Sequence, residues 1–401
     1  MGLSSREQTP TLTERIVQAA ADTRSFDRAR LVLKRVGNNE VSAKTIERIV
    51  HDVGGELVAL RDAASGTGSA LVQASAEPPT LAVVQCDGGR IRTRQPGHGP
   101  GVHDEGWRET KNACLLRMSH HRLDCDPQPE LPAAFCDPGQ VAKIAEKEAP
   151  SASDVAEAFQ DSTPSDQTEE PLDWRPRRLV RTCLSSMACS QEFGQQMARE
   201  SGPRRFGEAS FRAFLGDGLP WNWSIWRTHY RSYVPILDFV HVLSYLYCAA
   251  LAMEPEFAGR WTIYLSLARA CWKGRVAEVV ETLTLWLSAQ GLTAAADLDD
   301  DDPRKSVGDA VRYLQNNASR MDYPRYRQQG LPITTALMES LVKEINYRVK
   351  GTEMFWNDPA GAEAILQIRA AALCDDDRLA TYLRGRKGRP FVRPTPLAMA
   401  A

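Results

Sequence analysis

The hydrophobic period of the chain changes at Thr80, and this change limits the folds that are open to it. Up to about residue 76, apolar residues recur three and four positions apart, as in TLTERIVQAAADTRS and SAKTIERIVHDVGGELVALRDAA. This spacing is typical of amphipathic helices. From Thr80 the pattern predicts strands, first in LAVVQCD and then in WRETKNACLLRM and FRAFLG, before helical patterns return. We therefore expect an α/β fold that is interrupted by helices.

The same patterns divide the chain into segments. Residues 1–76 predict a bundle of short helices, which is either a DNA-binding domain of the helix-turn-helix kind or a module for dimerisation and packing. A strand-rich core is expected over 77–241, and its stretch 126–176, rich in Pro, Asp, Glu and Ser, predicts an exposed insertion with at most one short helix. An all-α insertion is expected over 242–330, the last helices of the core over 331–375, and a basic tail over 376–401.

A hairpin is expected at the start of the strand-rich core. Asp87 is followed by Gly88 and Gly89, and Asp-Gly is common turn chemistry. The GGR segment is therefore predicted to turn LAVVQCD directly into a second strand, IRTR. Together with WRETKNACLLRM, these segments predict an antiparallel unit of three strands.

Composition excludes several classes of protein. Hydrophobic residues make up 43% of the chain and charged residues 25%, and these ordinary globular values exclude collagen-like, wholly disordered and coiled-coil chains. No run of about 18 apolar residues occurs, so we expect no membrane span. The start of the chain lacks the apolar core of a signal peptide. Nine scattered cysteines without a C-x-x-C motif are typical of reduced thiols, which favours a cytoplasmic location.

Charge is segregated along the sequence. The formal net charge is -2, whereas proteins that bind nucleic acids usually have a basic excess. Acidic residues are concentrated in 126–176 and 299–302, and basic residues in the helix ITTALMESLVKEINYRVKG and in RGRKGRPFVR. The near-neutral total therefore does not exclude a nucleic-acid partner.

Three acidic residues occupy positions that a metal ion could reach. Asp87 ends LAVVQC, Asp217 ends FRAFLG, and Glu339 lies on the helix ITTALMESLVKEINYRVKG. Each has an ordinary alternative, because the aspartates could close turns and Glu339 could form a solvated pair with Lys343. Together, however, two carboxylates on adjacent strands and one from a late helix can bind two hard cations. Two such cations, about 3.5–4 Å apart, promote in-line displacement at phosphorus.

The helix that carries Glu339 also has a polar face. Lys343, Asn346 and Lys350 follow Glu339 at steps of +4, +7 and +11, so all four residues lie on one side of the helix. Lys343 and Lys350 could hold backbone phosphates as point charges.

This helix closely resembles a signature of the Kra-type transposases of bacterial insertion sequences, in the segment GLPITTALMESLVKEINYRVKGTEMFW. The segments VVQCDGGRIRTR, GWRETKNA, FLGDGLPWNW and ILDFVHVLSYLY resemble further parts of the same family. The resemblance covers most of residues 45–380 and is weakest around 126–176. These transposases are similar to the Mutator and hAT transposases, so the resemblance implies an RNase H-like mixed sheet with an all-α insertion and a DDE catalytic triad.

Residue by residue, the resemblance implies that Asp87, Asp217 and Glu339 are both the catalytic triad and the metal ligands. Asp238 and His241 resemble an Asp-x-x-His signature that would support the site or position DNA. A buried structural pair is the alternative for these two residues, and Asp238 is the rival to Asp217 as second ligand. Contacts with DNA are expected from Lys343, Asn346, Arg348 and Lys350.

The function implied is that of a DDE transposase, which binds the terminal inverted repeats of its insertion sequence and catalyses DNA cleavage and strand transfer. Mg²⁺ is the expected cofactor, which Mn²⁺ could replace, because the ligands are hard oxygens. A homo-oligomer at the nucleoid is expected, since two DNA ends must be joined together. Two alternatives stay open: a catalytically inactive DNA-binding derivative, and an RNase H-like nuclease that does not join strands.

Overall fold

A mixed five-stranded sheet forms the centre of the protein. The computed structural model describes residues 9–63, 75–94, 106–147, 174–294, 296–351, 355–356 and 358–386. The strands are β1 (Leu81–Arg92), β2 (Trp107–Met118), β3 (Arg178–Ser186), β4 (Phe211–Gly216) and β5 (Val234–Leu237). Their order is β3-β2-β1-β4-β5, in which β2 is antiparallel to both neighbours, whereas β4 and β5 run parallel to β1.

Helices precede this sheet, connect its strands and follow it. The helices are α1 (Pro10–Asp22), α2 (Phe26–Gly37), α3 (Ala43–Ala63), α4 (Pro138–Ile144), α5 (Ser190–Ser201), α6 (Pro220–His229), α7 (Phe239–Met253), α8 (Phe257–Trp272), α9 (Val276–Ala289), α10 (Lys305–Asn317), α11 (Tyr323–Gln328), α12 (Ala336–Val349), α13 (Pro359–Ala372) and α14 (Arg378–Gly385). The chain is thus a mixed α/β protein that is mostly helical. In the described part of the chain, no helix combines the length and the apolar character that a membrane span requires.

Strand β1 continues through the glycines that were expected to form a turn. Gly88 lies opposite Lys111 and Gly89 opposite Thr110 in an unbroken antiparallel ladder with β2. A Cβ atom at Gly89 would lie 2.7 Å from the hydroxyl oxygen of Thr110, so close contact between strands, and not a turn, favours glycine there. The predicted hairpin at GGR is therefore wrong.

The antiparallel unit of three strands exists, but its third member is β3 and not IRTR. IRTR supplies the end of β1, and β3 begins some 60 residues after β2 ends. Between these strands, the described part of 126–176 includes α4, whose Val141 and Ala142 are buried. The described part thus has the one short α-helix that was predicted, but this helix packs into the core through one side, and residues 148–173 lie outside the described residues.

Helices cover both faces of the sheet. Gln85 donates to the carbonyl of Thr334 at 3.4 Å, which places the start of α12 on the face of Gln85. The next residue, Cys86, points to the opposite face and donates to the side chain of Asn222 in α6. The two faces of β1 are therefore enclosed by different parts of the chain.

The N-terminal helices pack against the last helices of the chain. Gly54 of α3 lies so close to α13 that a Cβ atom there would be 2.4 Å from the carbonyl oxygen of Ala364. The guanidinium of Arg348 donates to the carbonyl of Ala20 near the end of α1 at 2.7 Å. The described residues of 1–76 therefore share a core with α12 and α13, and their role in DNA binding stays a prediction.

Candidate active site

Three aspartates lie at one level of the sheet. The parallel register of β1 and β4 places Gln85 opposite Leu215, and two further residues bring Asp87 beside Asp217. The register of β4 and β5 continues in the same way from its last pair to Asp217 and Asp238. Residues at one level of neighbouring strands point to the same face, and the charges of Asp217 and Asp238 both act on Asp87.

The turn after β4 holds Asp217 in place. Its Oδ1 accepts hydrogen bonds from the backbone N–H of Leu219 at 2.9 Å and from Nδ2 of Asn222 at 2.5 Å. The hydroxyl of Tyr313 donates to its carbonyl oxygen at 2.7 Å. Gly218 has a φ of +103°, and a side chain there would also collide with the Tyr313 ring, so the turn requires glycine. Asn222 and Tyr313 carry no motif that could have predicted this role.

The carboxylates of Asp87 and Asp217 lie in a site with too little positive charge. Burial, together with the negative charge of Asp217, raises the pKa of Asp87 to about 6. Burial also raises the pKa of Asp217, and the charge of Asp238 adds to this effect. Two buried carboxylates that disfavour each other's ionisation are electrostatically suited to a cation.

Asp238 connects two helices through its side chain, which is completely buried. Its Oδ2 accepts from the backbone N–H of His241 at 3.1 Å and lies 2.6 Å from Nδ1 of the same residue. Its Oδ1 accepts from the backbone N–H of Thr335 at 2.8 Å, immediately before α12 begins. Both oxygens are thus used within the protein, which favours the buried structural pair over a second metal ligand.

His241 brings a positive charge to the group of aspartates. Burial by itself would lower its pKa, but the hydrogen bond to Asp238 and the charges of Asp238, Asp217 and Asp87 together raise the pKa to about 9. The imidazole is therefore protonated at neutral pH, and its charge opposes the raised pKa values of Asp87 and Asp217.

Glu339 lies in the first turn of α12, with 37% of its side chain exposed. Its Oε2 is 3.9 Å from Nζ of Lys343. Burial raises the pKa of Glu339, the charge of Asp238 raises it further, and Lys343 and His241 lower it. Asp87 and Asp217 are not among the charges that shift it, so Glu339 is grouped with Asp238 and His241.

The charge of Asp217 therefore acts on Asp87, whereas the charges that act on Glu339 are those of Asp238, Lys343 and His241. Within the described ranges, no group of three His, Cys, Asp or Glu side chains is close enough to hold a metal ion. The oxygen donors of Asp87 and Asp217 nevertheless suit a hard divalent cation, because their charges are crowded and only partly balanced. A site of three ligands that includes Glu339 stays a prediction.

The residues predicted to contact DNA fall into two groups. Lys343 is 79% exposed, Lys350 is exposed, and Asn346 is partly buried. Arg348 is only 1% exposed, and its guanidinium bonds to the backbone of α1. Its predicted contact with DNA is corrected to a role in the core, because the side chain points away from the face of Glu339 and Lys343.

Exposed aromatic residues beside this helix were not predicted. Tyr347 lies on α12 between Lys343 and Lys350, and the guanidinium of Arg24 lies 4.7 Å from the centre of its ring. Trp107, at the start of β2, has the guanidinium of Arg92 at 4.7 Å and the ammonium of Lys350 at 5.6 Å. The spacing of Lys343, Tyr347 and Lys350 along α12 is the sequence signal that could have indicated an exposed surface with both cations and aromatic rings.

Comparison with known proteins gives a distant structural similarity. No family model and no curated protein sequence matches the chain. Among solved structures, the chain is similar to the Drosophila P element transposase strand transfer complex, with 10% sequence identity and a TM-score of 0.34. The alignment covers 92% of this chain and 93% of that chain. At this level of identity and TM-score, the similarity does not transfer an activity or a partner to this chain.

Proposed function

We propose that this protein is a metal-dependent DDE transposase, which cleaves DNA at the ends of its insertion sequence and joins the freed 3′-hydroxyls to target DNA. The observation that carries the proposal is that Asp87, on β1, and Asp217, directly after the parallel strand β4, lie close enough for the charge of Asp217 to act on Asp87. Their crowded charges and the position of α12 on the same face of the sheet support it.

The arrangement of the sheet supports the RNase H-like part of the proposal. Strands β1, β2 and β3 form an antiparallel unit, and β4 and β5 add to β1 in parallel. This order places Asp87, within β1, beside the carboxyl ends of β4 and β5, where a ligand site is expected in an α/β sheet. Helices α7 to α11 follow β5 and precede α12, as expected for an all-α insertion before the helix of Glu339.

Asp87 and Asp217 would hold Mg²⁺, with Glu339 as a further ligand. The cation would act as a Lewis acid on the phosphodiester and activate a water molecule or a 3′-hydroxyl. Glu339 is suited to join them because its side chain is partly exposed and its 3.9 Å pair with Lys343 is weak. Asp238 would position Glu339 through Thr335, directly before the start of its helix.

DNA is the partner in this proposal. Lys343 and Lys350 would contact backbone phosphates next to the carboxylates, since both are exposed cations on the helix of Glu339. Recognition of the terminal inverted repeats is assigned to the helices of residues 1–76. Joining two ends in one reaction requires a homo-oligomer.

The test compares the wild type with Glu339→Gln on labelled DNA that carries the ends of the element, with and without Mg²⁺. Glu278→Gln is a matched control, because Glu278 is an exposed glutamate in the first turn of α9. We expect Glu339→Gln to lower cleavage and joining at least about a hundredfold, because even the loss of an outer-shell partner of a metal costs about 10- to 100-fold.

The other possible outcomes of this experiment would contradict the role of Glu339 or point to one of the alternative functions. Equal cleavage by the wild type and Glu339→Gln would contradict the role of Glu339. Cleavage without joining would identify a nuclease, and specific binding without cleavage would identify an inactive DNA-binding derivative.

A further inference from the structure

A small cavity opens among the N-terminal helices, the end of α12 and the start of α13. Its volume is about 220 Å³, and its lining includes Arg24, Phe26, His51, Arg348, Phe355 and Trp356. Pockets for drug-sized ligands measure roughly 300–1,000 Å³, so this cavity suits a smaller group. The combination of aromatic rings and guanidinium groups indicates a planar ligand that carries negative charge nearby.

Arg348 contributes a buried cation to this cavity. Its guanidinium lies 4.7 Å from the ring centre of Phe26 and 5.4 Å from that of Trp356. Within the described residues, its Nη2 has no hydrogen-bond partner. Burial and the nearby charge of Arg369 lower its pKa to about 10. The charge of Arg348 is therefore poorly compensated, which favours an anionic ligand nearby.

Cations stacked on aromatic rings surround the cavity. Arg24 lines the cavity and also covers the ring of Tyr347. Arg92 lies 5.1 Å from the ring centre of Phe355, which lines the cavity, and 4.7 Å from that of Trp107. The exposed rings of Tyr347 and Trp107 thus share cationic partners with residues that line the cavity, and we call the cavity together with these two rings the aromatic–basic surface.

Two carboxylates also line the cavity, and both have partners. Glu47 pairs with Lys44 at 2.8 Å. Asp358 caps α13, because its Oδ1 accepts from the backbone N–H of Gly361 at 2.6 Å. Their charges are thus partly balanced.

We propose that the aromatic–basic surface binds unpaired nucleotides at a DNA end, with one base in the cavity and neighbouring phosphates on Arg24 and Lys350. Stacking on aromatic rings, combined with cations that follow the backbone, is how proteins bind single strands without reading their sequence. The DNA partner in this inference rests on the proposed function, but the binding needs neither the metal nor Glu339. It extends the proposed substrate from duplex ends to ends with separated strands.

The test measures binding of three probes to the full chain with Glu339→Gln in EDTA, so that chemistry is excluded. The probes are an oligothymidylate, a blunt duplex, and the same duplex with unpaired nucleotides at one end. We expect the oligothymidylate and the duplex with unpaired nucleotides to bind about tenfold more tightly than the blunt duplex, since stacking contributes to the affinity for each unpaired base.

Variants assign the binding to this surface. Arg24→Gln should weaken binding of the oligothymidylate. It should also make the negative slope of log affinity against log salt shallower by about 0.7, as expected for one lost phosphate contact. Trp107→Ala should weaken it about tenfold, whereas Trp107→Phe should keep most of the affinity because it keeps a ring. Arg275→Gln, which replaces an exposed cation at the start of α9, is the control.

The inference is overturned if Arg24→Gln and Trp107→Ala bind as the control does, or if the blunt duplex binds as tightly as the other probes. Failure of the proposed function has a different signature. In that case wild-type protein with Mg²⁺ would leave element ends uncut. The wild type would still prefer probes with unpaired nucleotides, and the variants would still lose that preference.

Discussion

At the scale of single residues, Asp87 combines a predicted catalytic role with an energetic cost to the fold. Burial and the charge of Asp217 raise its pKa to about 6, from an ordinary value of 3.8. The folded protein therefore binds a proton at this carboxyl more tightly than the unfolded chain does. Stability falls as the pH rises from about 4 to above 6, and the deficit persists at neutral pH.

Asp87→Asn should therefore stabilise the metal-free protein at pH 7.5 by about 2–3 kcal/mol, because it removes a buried charge that is poorly paired. Below about pH 3 the same substitution should have almost no effect, since the carboxyl is then neutral in both states. Urea unfolding at the two pH values, in EDTA, measures the difference. Asp27→Asn, which changes an exposed aspartate, is the control. A destabilised Asp87→Asn at pH 7.5 would show that the carboxylate is well compensated without a metal.

The sequence identified several site residues but not the environment of each. Asp87 and Asp217 could be predicted because each follows an apolar run that ends a strand or enters its polar part. Arg348 was assigned to DNA, yet its side chain is buried against α1. A helix has several faces, and the sequence alone does not show which of them a distant segment will cover.

At the scale of secondary-structure elements, the contact between α3 and α13 gives a matched pair of substitutions. Gly54 faces the backbone of Ala364, with no room for a Cβ atom, whereas the adjacent Gly55 has no atom within 4 Å of such a position. Both glycines lie in the interior of α3, so they have a similar helix propensity.

Gly54→Ala should destabilise the protein by about 1–3 kcal/mol, because the two helices must move apart. Gly55→Ala should stabilise it by about 0.5–1 kcal/mol through helix propensity alone. Denaturant unfolding of both variants measures the contrast. Equal effects of the two substitutions would mean that α3 does not pack on α13 this closely.

Pairing between remote strands could not be derived from local patterns. The sequence GGR has the composition of a turn, but β2 is long enough to pair with β1 beyond both glycines. The third antiparallel strand, β3, lies beyond 126–176 and was not predicted, because its place in the sheet depends on pairing across a long connection.

At the scale of the whole molecule, the N-terminal helices are part of the common core. α3 contacts α13, and the carbonyls at the end of α1 accept from Arg348 and Arg369. Removal of these helices would take away the carbonyl acceptors of Arg348 and Arg369 on α1, although Arg369 would keep its hydrogen bond to the carbonyl of Glu344.

The slowest amides of α3 and β1 should therefore exchange with solvent through the same global unfolding event. Native-state hydrogen exchange in rising urea should give Val53 and Val83 the same free energy of opening and the same dependence on urea. An exposed position such as Arg28 should exchange at low free energy and serves as the internal reference. A lower opening free energy for Val53 than for Val83 would show that residues 1–76 unfold as a separate domain.

By itself, the sequence determined the α/β class, most of the helices, three of the five strands in whole or in part, and the acidic residues that follow the apolar runs of β1 and β4. These features follow from short patterns of apolar and polar residues, which act over one element. The tertiary structure decided the continuation of β1 through Gly88 and Gly89, the burial of Arg348, and the link from Asp238 to Thr335. It also brought the charge of Asp217 close enough to Asp87 to raise the pKa of that carboxyl. Each of these depends on contacts between residues far apart in the chain, and those contacts exist only once the core has formed.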